Sequence, residues 1–168
     1  FIAKPILFRF SPDGVHETMI RTGNFLQKSK LFCKITHKTL AYDDPVLRIT
    51  ILGVELRNPL GLSAGLDKDA KIVSMAQSIG FGFIECGSVT YERYEGNKKP
   101  WHTRLPKSRS IIVNSGLKSE GARAVIERAK SYPQDVLKSF PLNISIAKTN
   151  SKNTTTKQQG IDDYVASF

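Results

Sequence analysis

The sequence predicts a parallel α/β fold, and two observations lead to that prediction. Short apolar segments alternate with helix-length segments between residues 59 and 168, in the order strand, helix, strand, helix, strand, helix. The first strand, at about residues 59–63, runs into Ser63, Ala64 and Gly65 and then into a charged helix entrance. In parallel α/β folds, ligands bind at the carboxyl ends of the strands. We therefore expect a site at this end of the sheet.

The first 40 residues are predicted to form a small helical segment. A capping serine, a proline and an early carboxylate at residues 11–13 begin a helix predicted over residues 12–22, which Gly23 weakens. A second helical piece is predicted over residues 25–32. The pair is apolar on one side and rich in lysine on the other, so it can lie in a membrane interface or pack on its own domain.

The later elements follow from apolar periodicity and turn signals. Two short strands with a turn near Leu52 and Gly53 are predicted within residues 45–56. Beyond the first strand, the predicted elements are a helix at 69–78, a strand at 83–86, a helix at 119–131, a strand at 142–147 and a helix at 161–168. The connection at residues 91–113 is long, which is typical of functional loops. The polar segment at residues 148–159 is expected to be a loop, and its composition allows it to be mobile.

Length and composition limit the possible classes. A chain of 168 residues with 40% hydrophobic residues can fold as one domain, but it is short for a closed barrel of about 250 residues. Cys33 and Cys86 are far apart, which predicts a reducing compartment with neither a disulfide nor a metal cluster. No apolar run approaches the roughly 18 residues of a membrane span, and no signal peptide is recognisable. Because the chain starts at Phe1 and stops inside a predicted helix, we expect a fragment.

The formal net charge of +10 leaves two interpretations open. A basic domain can bind nucleic acid or an anionic surface, or its basic surface can simply be solvated. The lysines and arginines are scattered, and no aromatic residues interleave with them as a stacking platform requires. We therefore expect no nucleic-acid partner.

Lys68 is the candidate binding residue at the end of the first strand. An ammonium group beside small residues can bind both a carboxylate and the polar edge of a cofactor. The alternative is an ordinary strand-to-helix turn with a solvated Lys68, since small-residue turns are common.

Several segments resemble the dihydroorotate dehydrogenase family. Residues 58–69 (NPLGLSAGLDKD) resemble its first-strand motif, and residues 80–90 (GFGFIECGSVT) resemble its second strand. Residues 96–100 (GNKKP) and 104–106 (RLP) resemble the segments that follow, in the family's order and near its spacing. The match covers roughly the first half of the family's chain. It implies that residues 41–168 form the first three βα units of a TIM-type (β/α)8 barrel, preceded by the helical segment and a β-hairpin.

The resemblance also implies FMN as cofactor and the oxidation of dihydroorotate to orotate in pyrimidine biosynthesis. The implied cofactor-binding residues are Ala64, Gly65, Lys68, Ser88 and Ser145. The implied substrate-binding residues are Lys68 and the loop Asn114, Ser115, Gly116 and Leu117. The family's catalytic serine lies on a later strand, beyond Phe168, so we expect this chain alone to be inactive.

Two positions depart from the family's pattern. Ser145 stands where the family has an asparagine, and its hydroxyl can either still bind the flavin or bond to the strand backbone. The Asn114 loop is one residue shorter, or has Val113 in place of the asparagine. We nevertheless expect Ala64, Gly65, Lys68, Ser88 and Asn114 to converge at one mouth of the sheet.

Residues 4–8 (KPILF) and 11–17 (SPDGVHE) resemble the amino-terminal segment of the class 2, quinone-dependent members, with His16 on that pattern's histidine. Taken alone, His16 could be an ordinary surface or core residue. The resemblance implies that residues 1–40 form a lid through which quinone reaches the flavin. It also implies a peripheral membrane location, on the cytoplasmic face or at the inner mitochondrial membrane of a eukaryote. Two alternatives remain: another FMN-dependent β/α-barrel oxidoreductase, or a basic nucleic-acid-binding domain.

Overall fold

The computed structural model describes residues 3–168, so the first two residues of the predicted 1–40 segment lie outside the described part. Three helices come first: α1 (Ala3–Leu7), α2 (Pro12–Leu26) and α3 (Lys30–Leu40). Helix α2 begins as predicted, because the Ser11 hydroxyl accepts a hydrogen bond from the amide of Gly14 at 3.1 Å. It continues past Gly23, and the second helix starts only after Ser29 caps the amide of Phe32. No helix among residues 3–168 has the length and apolar content to span a membrane.

Helix α2 is attached to the rest of the chain through Gln27 and Tyr132. The Gln27 amide donates to the carbonyl of Lys71 at 2.6 Å and to the Tyr132 hydroxyl at 3.2 Å. That hydroxyl donates to the carbonyl of Ala70 at 3.0 Å and accepts from the amide of Val73 at 3.3 Å. Burial raises the pKa of Tyr132 to about 12, so the phenol keeps its proton throughout the physiological range. The contact joins the amino-terminal helices to the loop that follows the first parallel strand.

Three parallel strands form the central sheet. They are β3 (Gly61–Leu62), β4 (Phe83–Val89) and β7 (Leu142–Ile146), hydrogen-bonded in the order β3-β4-β7. The connecting segments contain α4 (Val73–Ile79) after β3, and α5 (Ala122–Lys130) and α6 (Gln134–Ser139) before β7. This arrangement confirms the predicted parallel sheet. Helix α6 was not predicted.

The core lies between the sheet and helices α4 and α5. Its buried residues include Val73, Ile84, Val125 and Phe140, all fully enclosed. Burying side chains of this size contributes about 1.5–3 kcal/mol each. This packing fixes the strand ends that carry the site.

Two antiparallel hairpins flank the sheet. Strands β1 (Ile49–Ile51) and β2 (Val54–Leu56) pair as predicted around a turn at residues 52–53. Strands β5 (His102–Leu105) and β6 (Ser110–Val113) form a second hairpin within the connection that was predicted only as a long loop. This segment lacked a detectable strand signal because β6 is exposed along its whole length and shows no alternation of apolar and polar residues.

The segment after β7 was predicted only as a loop that could be mobile, and the structure shows specific bonds within it. The Lys148 ammonium donates to the carbonyls of Thr149 and Thr154 at 3.2 and 2.8 Å, and to the Thr154 hydroxyl at 3.1 Å. The amide of Thr149 donates to the carboxylate of Asp163 at 2.7 Å. Asp163 belongs to α7 (Lys157–Ser167), which starts four residues earlier than predicted because Thr156 caps it. Polar composition suggested mobility, but these polar side chains bind the loop's own backbone.

Candidate functional site

A cavity of about 420 Å³ opens at the carboxyl ends of β3 and β4. Its lining comes from the turn after β3, the end of β4, and the hairpin with the loop after it. The predicted site residues in this lining are Ala64, Gly65, Lys68, Ser88, Ser115 and Leu117. The structure thus brings most of the expected set together at one mouth of the sheet.

The turn after β3 presents bare backbone to this cavity. Gly65 has a φ of +111°, and a Cβ at this position would have no heavy atom within 4 Å. Its amide donates to the carbonyl of Gly87 at 3.1 Å, and the amide of Gly87 donates to the carbonyl of Asp67 at 3.2 Å. These two bonds tie the end of β3 to the end of β4. A flat ring can therefore approach the backbone at Gly65 without meeting a side chain.

Lys68 lies half-buried at the wall of the cavity. Its ammonium donates to the Ser115 hydroxyl at 2.7 Å and forms no salt bridge with any residue from 3 to 168. Burial and the charge of Lys118 lower the pKa of Lys68, against the opposing influence of Asp69 and Asp13. The lysine is thus a cation whose charge is not neutralised by direct contact.

The two carboxylates beside Lys68 fix its backbone. Asp67 is almost fully buried, and its oxygens accept from the amides of Lys71 and Ile72, each at 2.8 Å. Asp69 accepts from the amide of Glu120 at 2.9 Å, which ties the turn to the entrance of α5. In the sequence, residues 67–69 resemble an ordinary charged helix entrance, and nothing local indicates these positioning roles.

Ser88 and Ser145 meet at the ends of the neighbouring strands β4 and β7. Their hydroxyl oxygens are 3.2 Å apart, and either can donate. The observed partner of Ser145 is therefore a side chain and not the strand backbone. The pair offers donor and acceptor groups beside the bare turn at Gly65.

The structure places the side chain of Asn114 outside the cavity. Its carbonyl oxygen accepts from the Asn97 amide at 2.9 Å on the exposed side of the loop. Val113 lines the cavity in its place, together with Ser115 and Leu117. Gly116 packs against Asn97, where a Cβ would lie 2.5 Å from the side-chain oxygen. The departure from the family's pattern noted in the sequence thus corresponds to an apolar side chain at the cavity.

A buried carboxylate that sequence reasoning did not single out joins α2 to the hairpin. Asp13 accepts from the amide of Trp101 at 2.9 Å, and from the amide and ring Nδ1 of His102 at 3.0 and 2.7 Å. Further along α2, His16 donates its Nε2–H to the carbonyl of Leu66 at 2.9 Å, since a carbonyl can only accept. The rings of His16 and His102 are 5.5 Å apart, and both line the cavity. The amino-terminal helix therefore forms part of the site's wall.

The chain is similar to known proteins over nearly its whole length. A profile of the dihydroorotate dehydrogenase family matches residues 46–168. Proteins named dihydroorotate dehydrogenase (quinone) from Chloroflexus aurantiacus and Christiangramia forsetii are 34% and 36% identical over 98% and 99% of the chain. The matches cover 45% and 47% of those relatives, so the chain spans about half their length.

Solved structures agree with the sequence relatives. The structure of Eimeria tenella DHODH in complex with ferulenol superposes with a TM-score of 0.68 at 28% identity, covering 92% of this chain and 40% of that one. The structure of the ligand-free type of DHODH from the same organism gives a TM-score of 0.60 at 32% identity, covering 70% of this chain and 36% of that one. The three parallel βα units are thus part of a TIM-type barrel, as predicted. The chain belongs to the dihydroorotate dehydrogenase family.

Proposed function

We propose that the whole protein containing this chain oxidises dihydroorotate to orotate with FMN and passes the electrons to a quinone. The observation that carries the proposal is the convergence of Lys68, the bare turn at Gly65 and the Ser88 hydroxyl on one cavity. The chain's membership of the dihydroorotate dehydrogenase family supports the proposal, as do the names of the two relatives. The similarity to the Chloroflexus aurantiacus relative covers 98% of the chain, so it extends to residues before position 46, where the family profile begins.

The residues present fit the edge of a flavin. The turn at Gly65 leaves room for a ring system, and the Ser88 and Ser145 hydroxyls can bond to polar ring atoms. Lys68 can donate to the same polar edge. Bound FMN would supply the two-electron redox chemistry of the reaction. We assign cofactor binding to Ala64, Gly65, Lys68, Ser88 and Ser145.

Lys68 is well placed to hold the substrate's carboxylate. An ammonium group has three donors, and the bond to Ser115 occupies one, which leaves two for an anion. Because Lys68 is half-buried, its attraction for a carboxylate is stronger than it would be in water. Ser115 is itself buried and keeps the ammonium directed along the cavity wall. We assign substrate positioning to Lys68 and Ser115, and contact with the substrate ring to Leu117.

The amino-terminal helices would form the quinone side of the protein. Several large apolar residues of α2 and α3 are exposed: Phe25 at 72%, Leu31 at 68% and Ile35 at 55%. An apolar face beside a lysine-rich one suits a membrane interface. We propose that these helices rest on the membrane and that His16, bonded to Leu66, lies where they meet the cavity.

The test uses the longest reading frame that contains this chain. The purified protein should carry FMN and reduce a soluble quinone when given dihydroorotate. Lys68→Met should raise KM for dihydroorotate and lower kcat, because the substrate loses its ionic anchor. Lys107→Met removes an exposed ammonium outside the cavity and should leave both constants unchanged. A flavoprotein that ignores dihydroorotate would contradict the proposed function.

A further inference from the structure

A second lysine faces the same space as Lys68. Lys68 and Lys118 both line the 420 Å³ cavity and also an adjoining cavity of about 360 Å³. Like Lys68, Lys118 forms no salt bridge with any residue from 3 to 168. We propose that Lys68 and Lys118 together form a two-lysine anion site that binds the substrate's carboxylate. The identity of that carboxylate rests on the proposed function, whereas the two-lysine site does not.

The position of Lys118 is fixed by its neighbours. Its ammonium lies over the indole ring of Trp101, 4.7 Å from the ring centroid. Trp101 is held in turn, because its indole N–H donates to the carbonyl of Asn97 at 2.7 Å and its amide donates to Asp13. The next residue, Ser119, is buried and exchanges two backbone hydrogen bonds with Tyr94, at 2.9 and 3.0 Å. These contacts hold Lys118 in the wall that lines the two cavities.

The carboxylates near these lysines are already bonded elsewhere. Glu17 and Glu120 line the adjoining cavity, but Glu17 accepts from Lys99 at 2.9 Å and Glu120 accepts from Lys71 at 2.6 Å. Asp67 and Asp69 accept backbone amides, as described above. The wall therefore contains two cations whose charge no direct contact neutralises.

The ammonium groups of Lys68 and Lys118 carry like charges at the wall of one cavity, so they repel each other. An anion bound by both groups offsets that repulsion. The direction of the pKa shift at Lys68 agrees with this, since Lys118 contributes to it after burial. An ammonium can donate but cannot accept, so the pair selects an acceptor group with negative charge. It cannot recognise the N–H groups of a neutral pyrimidine. The pair therefore favours a carboxylate-bearing ring over the same ring without a carboxylate.

The test compares three probes by isothermal titration calorimetry on the protein from the longest reading frame. Orotate carries the carboxylate, uracil is the same ring without it, and benzoate is a carboxylate on an unrelated ring. Lys118→Met should weaken orotate and benzoate binding about tenfold, the effect of losing one charge-assisted contact of about 1.4 kcal/mol. Uracil binding should not change. Lys118→Arg keeps the charge and should restore most of the affinity.

Lys107→Met is the matched control. Lys107 is exposed in the turn between β5 and β6 and lines neither cavity. This variant should bind orotate within about twofold of the parent. A second measurement uses only the parent protein: orotate should protect Lys118 from an amine-reactive reagent, as detected by mass spectrometry.

The outcomes separate the two-lysine site from the proposed function. Orotate binding that is equal in parent and Lys118→Met overturns the two-lysine site, as does a parent that binds neither carboxylate. If Lys118→Met does not fold, unprotected Lys118 in the parent overturns it. Benzoate binding that Lys118→Met weakens, in a parent that rejects orotate, supports the two-lysine site and contradicts the proposed substrate.

Discussion

Asp13→Asn tests whether a single buried carboxylate holds the amino-terminal helix to the site. Asp13 is 6% exposed and accepts three hydrogen bonds from two consecutive residues of the hairpin. The substitution removes the charge and replaces one acceptor oxygen with an N–H group. That N–H group then faces the amide of Trp101 or the donors of His102, and in either case a donor meets a donor.

The expected cost can be estimated from these contacts. A hydrogen bond to a charged group contributes about 1.5–3 kcal/mol, and a buried donor without a partner costs about 1–3 kcal/mol. The contributions overlap because all three bonds share one carboxylate. We expect Asp13→Asn to lower the free energy of unfolding by about 3 kcal/mol, the lower end of the range for breaking a buried ion pair.

The pH dependence gives an independent check. Burial raises the pKa of Asp13, but the hydrogen bonds from Trp101 and His102 outweigh it, so the pKa lies below its ordinary value of 3.8. A carboxyl group with a lowered pKa stabilises the fold fully above that ordinary value, and the stabilisation is lost as pH falls through the folded-state pKa. The difference between parent and variant should therefore be constant near neutral pH and shrink below about pH 4.

The assay is urea denaturation of both proteins, with Glu17→Gln as control. Glu17 lies on the same helix and bonds to Lys99 at 2.9 Å, but this pair is exposed. An exposed pair contributes about 0.2–1 kcal/mol, so the control should lose less than about 1 kcal/mol. If Asp13→Asn costs no more than Glu17→Gln, the carboxylate does not hold the helix and the reasoning fails.

Three further predictions concern other contacts. Ser88→Ala and Ser145→Ala should each weaken flavin binding. Because the two hydroxyls bond to each other, the double variant should lose less binding free energy than the sum of the two single losses. Equilibrium dialysis measures the flavin affinity, and strictly additive losses would contradict the prediction. Tyr132→Phe should lower the free energy of unfolding by about 1–3 kcal/mol in denaturation, since three hydrogen bonds lose their partner, whereas the exposed Tyr164→Phe should not. Lys148→Met should speed hydrogen exchange of the amides at residues 149–156, and unchanged protection would show that the loop does not depend on the ammonium.

The sequence alone predicted the parallel sheet because the relevant signals are local. A few neighbouring residues are enough to predict each of these elements. This holds for the apolar runs at β4 and β7 and for the small-residue turn after β3. The turn at residues 52–53 is similar, since Gly53 separates two short apolar runs, and the structure shows the positive φ values that suit a two-residue hairpin. The meeting of Ala64, Gly65 and Ser88 at one cavity followed from topology, because parallel strands place their carboxyl ends together. The choice of Ser88 as a site residue came from the family resemblance.

The missed features depend on contacts that are distant in sequence. Asp13 lies 88 residues from Trp101, and within its own helix it reads as an ordinary first-turn carboxylate. The position of Asn114 was decided by Asn97, which binds its side chain on the outer face of the loop. Lys118 has no local signal of a binding role, and only the fold places it in the same cavity lining as Lys68. In each case the residue type was visible, but its partner could not be inferred from spacing.

Two hydrogen-bonded contacts of α2 connect the amino-terminal helix to the wall of the cavity. His16 binds the carbonyl of Leu66, two residues before Lys68, and Asp13 binds the start of β5. Both contacts lie on α2, so the helix links the turn after β3 to the hairpin. The hairpin in turn carries Val113 into the cavity wall. A ligand that displaces the turn at Lys68 therefore acts on the helix through the His16–Leu66 bond, and the Asp13 contact connects the same helix to His102 on the cavity wall.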